Sequence, residues 1–100
     1  MHRVALRIAP NHPAFAGHFP AQPLLPGVTL LAEVLEAVLT EPALAARIGR
    51  APRIASAKFL APVRPGAQLV VQLQASERAI RFEVREGDRV VASGHFEVEA

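Results

Sequence analysis

Residues 17–28 read Gly17-His18-Phe19-Pro20-Ala21-Gln22-Pro23-Leu24-Leu25-Pro26-Gly27-Val28. Each proline fixes φ near −65°, so the stretch is stiff before it packs against anything. It carries one histidine, and it ends on a glycine that opens a long apolar run. A helix start presents backbone N–H groups with no partner inside the helix, and glycine there allows an oxygen-rich ligand to approach closely. An imidazole held beside such amides is the pairing needed to remove a proton next to a carbonyl.

The chain around this stretch divides cleanly. Residues 3–8 alternate, with Val4, Leu6 and Ile8 on one face and Arg3, Ala5 and Arg7 on the other, as a half-buried strand does. Prolines at 10, 13, 20, 23 and 26 keep residues 11–27 in an ordered loop. Residues 28–39 form a helix with Val28, Leu31, Leu35, Val38 and Leu39 on one face, widened by Leu30, Val34 and Ala37. Its polar stripe is only Thr29, Glu33, Glu36 and Thr40, so most of its surface needs cover. Thr40 is placed to cap a second helix over 41–48, with Pro42 in its first turn and Gly49 just past its end. Strands follow at 53–63, 68–75, 79–85 and 89–99, the last two joined around Glu86-Gly87-Asp88. One strand, a buried helix and four antiparallel strands make a single α+β domain over 1–100, a sheet wrapped around a central helix.

Composition narrows the function. The chain has 100 residues, 51% hydrophobic, a high share for one small core. Excess apolar surface on a small domain calls for a partner surface, most simply a homodimer. The net charge is +2 from 11 basic and 9 acidic residues. There is no basic run interleaved with aromatics, and tryptophan and tyrosine are absent, which excludes a nucleic-acid reader. Without cysteine there is neither a disulfide framework nor a thiolate metal site. The start of the chain shows no signal-peptide pattern, and the apolar run 28–39 is interrupted by Glu33 and Glu36 and too short to span a bilayer. A cytoplasmic protein with no membrane contact is expected.

The run 17–28 resembles the signature of 3-hydroxyacyl-[acyl-carrier-protein] dehydratases, G-H-F-P-G-x-P-x-x-P-G-V before an apolar helix. It matches at Gly17, His18, Phe19, Pro20, Pro23, Pro26, Gly27 and Val28, and departs at Ala21. The approach His12-Pro13-Ala14-Phe15-Ala16 is most similar to the short dehydratase-like proteins of aryl-polyene clusters. Lys58-Phe59-Leu60-Ala61-Pro62-Val63-Arg64-Pro65-Gly66 is a weaker match to the family's R-F-x-x-P-V-x-P-G. The resemblance implies a hot-dog fold, an acyl thioester on a carrier protein as substrate, and no metal or redox cofactor. It makes His18 the base that takes the α-proton and Gly27 the carbonyl-polarising amide, with Phe19 and Val28 beside the substrate.

The same resemblance exposes a gap. The family's carboxylate, supplied by the other subunit to protonate the leaving hydroxyl, falls on Ala32. A positioned acid is worth on the order of 10²–10⁴ in rate. Glu33 points about 100° away, on the polar stripe with Thr29. Glu36 is the better substitute, about 40° round and about 6 Å along the helix from Ala32. Two rival readings follow: a non-catalytic acyl-binding or partner subunit, and a thioesterase using His18 with Glu33 or Glu36. A lone histidine near a core is usually structural, so His2, His12 and His95 are given no role, with His12 expected at the surface and His95 facing opposite to Phe96. Their spacing, with His18, is no zinc signature. Ser93 lacks a nucleophile's context. Arg50, Arg53, Lys58 and Arg64 form either a docking set for an acidic carrier or a solvated charge set.

Overall fold

The computed structural model describes residues 1–15 and 24–98. Strand β1 (His2–Arg7) leads into a 3-10 turn at Pro13–Phe15. Helices α1 (Gly27–Leu39) and α2 (Pro42–Ile48) follow, then strands β2 (Arg53–Phe59), β3 (Gln68–Ala75), β4 (Ala79–Glu86) and β5 (Arg89–Glu97). The strands form one antiparallel sheet in the order β1-β3-β4-β5-β2, so β1 and β2 are its edges.

Alternation sets the two faces of the sheet. Leu69, Val71 and Leu73 of β3, and Ile80, Phe82 and Val84 of β4, point at the helices and are buried. Phe96 of β5 joins them, its ring 5.5 Å from that of Phe82. The β4–β5 turn places Gly87 at φ +60°, which glycine adopts without steric cost.

Helix α1 rests on this core through Leu30, Val34, Ala37 and Val38. The wide apolar surface expected of it is therefore split. Val28, Ala32 and Leu39 stand exposed, with Leu31 and Leu35 half-buried. Both faces are apolar, so periodicity alone did not rank them; the sheet takes the one whose side chains reach it.

Besides shifts of one or two residues at other strand and helix ends, three features differ from the sequence reading. Thr40 does not cap α2. It closes α1, its Oγ1 donating to the Ala37 carbonyl at 2.7 Å, and Glu41 takes the N-cap position before Pro42. Strand β2 stops at Phe59 rather than running to 63, because the Leu60 and Ala61 amides both turn onto the Val91 carbonyl (2.9 and 3.3 Å). Helix α1 begins one residue early, at Gly27, with Pro26 extended before it.

Candidate functional site

The start of α1 is anchored on both sides. The Leu25 amide donates to the Val63 carbonyl at 2.8 Å, tying the segment before the helix to the turn after β2. The Pro26 carbonyl accepts from Thr29 and Leu30 at 3.0 and 3.1 Å and closes the first turn. Among the described residues, no acceptor meets the amides of Gly27 and Val28. Such donors at a helix N-terminus are suited to a carbonyl oxygen.

A cavity of about 430 Å³ opens beside Gly27. Gly27, Leu24, Leu30, Phe59, Leu60 and Val63 form most of its wall, and no described lining side chain is ionisable. Phe59 is 51% exposed and Leu60 58%. Gly27 is a glycine for reasons of space. Its φ is not positive, but a Cβ there would lie 2.7 Å from the Phe59 Cζ and 2.9 Å from Cε2.

The predicted site residues fall in different places. His18 and Phe19 lie outside the described residues. Gly27 is in the cavity wall. Val28, 77% exposed, lines a separate apolar cleft of about 220 Å³ with Ala32, Leu35 and Ile54. Glu36 is exposed and lines neither space. Glu33 is held elsewhere, its Oε1 lying 3.2 Å from His12 Nε2. The Ala14 amide donates to His12 Nδ1 at 3.0 Å, which makes Nδ1 the acceptor and leaves Nε2–H to donate to Glu33. His12 is thus not at the surface as expected. It bridges the 3-10 turn to α1, with Phe15 against its ring edge at 6.1 Å.

His2 and His95 each have a pairing partner. His2 Nδ1 lies 3.4 Å from Glu41 at the α2 N-cap. His95 faces away from Phe96, on the outer side of the sheet, where its Nδ1 meets Ser56 Oγ at 3.0 Å. It is on the opposite face from His12. A polar groove runs there, flanked by Lys58, Arg81, Glu83 and Ser93. Cross-strand register explains it, since Arg81 pairs with His95, and Ser93 with both Glu83 and Lys58. Among the described residues no cluster of three or more His, Cys, Asp or Glu side chains could hold a metal. Arg50, Arg53, Lys58 and Arg64 are all exposed.

Two residues escaped the sequence reading. Phe59 was quoted only as part of a motif match. His12 carried a signal in the His12-Pro13 pair, which favours a turn where an imidazole accepts from a nearby amide.

A sheet closed over one long helix, with an apolar cavity at the start of that helix, defines the class: a hot-dog fold protein. Residues 1–95 match the family model of the ApeI-like proteins, described as ApeI dehydratase, and the chain belongs to that family. A curated relative, 3-hydroxyacyl-[acyl-carrier-protein] dehydratase FabZ of Desulfotalea psychrophila, is 40% identical over 92 residues, covering 81% of this chain and 61% of the relative. The FabZ of Symbiobacterium thermophilum is 35% identical over 71 residues, 67% of this chain and 50% of the relative. The chain thus spans about half to three-fifths of the length of these relatives. Among solved structures, the dehydratase heterocomplex ApeI:P from Xenorhabdus doucetiae superposes with a TM-score of 0.76 at 27% identity, covering 98% of this chain and 86% of that one. BH1999 gentisyl-coenzyme A thioesterase, at 16% identity and TM-score 0.66 over 97% of this chain and 87% of its own, shares the fold.

Proposed function

We propose that this protein binds 3-hydroxyacyl thioesters carried on phosphopantetheine, with the thioester carbonyl on the Gly27 amide and the acyl chain in the adjoining apolar cavity. The observation that carries the reading is the Gly27 amide at the start of α1, which meets no acceptor among the described residues, beside a cavity with no ionisable side chain in its described wall. Such a site receives a neutral carbonyl with an alkyl chain behind it. Membership of a dehydratase family supports the chemistry.

In the proposed reaction His18 takes the proton from C2. The electrons form the C2–C3 double bond, and the C3 hydroxyl leaves as water once it is protonated. The amide stabilises the enolate-like oxygen as it develops. A partner copy would supply the proton donor, with Glu36 ahead of Glu33. A homodimer fits the exposed apolar residues Val28, Ile54, Phe59 and Leu60, which cluster on α1 and along the edge strand β2 and its exit. A cytoplasmic location belongs to the same proposal.

The second reading is an acyl-binding partner subunit without turnover. It is favoured by two observations: Ala32 offers no proton, and Glu33 is already the acceptor of His12. The test is purified protein mixed with 3-hydroxyacyl-pantetheine thioesters, followed by enoyl absorbance and by calorimetry. Turnover that falls at least about 100-fold in His18→Ala supports the dehydratase. Binding without turnover supports the partner subunit, and neither binding nor turnover rejects both.

A further inference from the structure

We infer that Phe59 sets the size of the acyl group this cavity accepts, and that Gly27 lacks a side chain in order to admit the Phe59 ring. The inference rests on the acyl-thioester reading above and deepens it.

The ring meets the helix start with its tip. Cζ, Cε2 and Cε1 would stand 2.7, 2.9 and 3.1 Å from a Cβ on Gly27. The backbone conformation at Gly27 is open to any residue, so the ring alone accounts for the glycine. The Phe59 backbone has little freedom to withdraw. It pairs with Ala92 at the end of β2, and the two amides after it converge on the Val91 carbonyl. The aromatic ring therefore stands over the side-chain direction of Gly27 at the helix start, in a cavity otherwise walled by leucines, a proline and small residues. A carbonyl seated on the Gly27 amide must send its acyl carbons into the volume the ring bounds. Pockets discriminate on this scale, since one methylene too many or too few already changes selectivity about 10–200-fold.

The test uses the full chain and a series of straight-chain acyl-pantetheine thioethers, which cannot react, from four to twelve acyl carbons. Binding is measured by calorimetry for wild type, Phe59→Leu, Phe59→Ala and Phe59→Trp. The half-exposed position of Phe59 leaves these variants foldable, which circular dichroism checks. Phe59→Ala is expected to move the preferred chain to longer acyl groups, with at least about a tenfold change in the ratio of long-chain to short-chain affinity. Phe59→Leu should fall between, and Phe59→Trp should shift the other way. Gly27→Ala is expected to lower the melting temperature and the affinity, and Gly27→Ala with Phe59→Ala to recover much of the melting temperature. An unchanged chain-length profile across the Phe59 series, in proteins that do bind, overturns the inference and leaves the acyl-thioester reading standing. Absence of binding in every variant overturns that reading instead, while the double variant still decides whether the ring is why residue 27 is a glycine.

Discussion

Ala32 sits where the dehydratase pattern places its acid, and it is exposed on the outward face of α1. If a partner helix supplies the proton from this position, Ala32→Glu should raise dehydration by roughly 10-fold or more, toward the range a positioned acid provides. If Glu36 has taken over, Glu36→Gln should lower wild-type turnover by a similar factor, because an amide keeps the size but cannot act as the acid. Parallel progress curves for the two variants separate these cases. Glu33 is committed differently. Glu33→Gln retains an oxygen for His12 Nε2–H, so stability should change by less than about 1 kcal/mol, whereas Glu33→Ala leaves a half-buried donor unmet and should cost about 1–2 kcal/mol in a urea titration. A nitrogen-detected spectrum of the His12 ring should show the Nε2–H tautomer that the Ala14 contact dictates.

At the scale of elements, α1 governs both the core and the outward surface. Its inner residues Leu30, Val34, Ala37 and Val38 are buried, and truncating one, as in Val34→Ala, should cost roughly 1–3 kcal/mol by cavity formation. Its outer residues face the cleft shared with Ile54 of β2. A charge there should separate protomers without unfolding them. Leu35→Glu combined with Ile54→Glu is expected to sediment as a monomer with an unchanged far-ultraviolet spectrum, while wild type sediments as a dimer at micromolar concentration. A wild-type monomer at that concentration would contradict the dimer proposal.

Over the whole molecule, cations outnumber acids on the outer face of the sheet among the described residues. Arg3, Lys58, Arg81 and Arg85 fall on the outer side of the sheet, where the nearest acid, Glu83, contacts Arg85 at 2.5 Å. Glu33, Glu36 and Glu41 belong to the helical side. The core lies on one side of the sheet, and most of the exposed large apolar residues, Val28, Leu39, Ile54, Phe59 and Leu60, lie on α1 and along β2 and its exit. If folding is completed by association there, the melting temperature should rise with protein concentration. Scans across a hundredfold concentration range would show this, and coincident curves would show a monomer that is stable alone.

Much of this was legible in the residues. Period-2 alternation placed β1, turn and hairpin signals placed the later strands, and period-3.6 placed α1, because these patterns are carried by neighbours a few positions apart. The proline-rich motif likewise identified the family. Three matters depended on residues brought together from far along the chain. Which apolar face of α1 enters the core was decided by the sheet, since the helix offers two. Glu33 was taken by His12, 21 residues away, and His95 by Ser56, 39 residues away. The glycine at 27 had the local meaning of a helix start, yet its spatial reason is a phenyl ring from an edge strand, 32 positions later in the sequence. Periodicity and turn chemistry report what a segment can become; only the closing of the sheet over the helix settles which of its side chains meet.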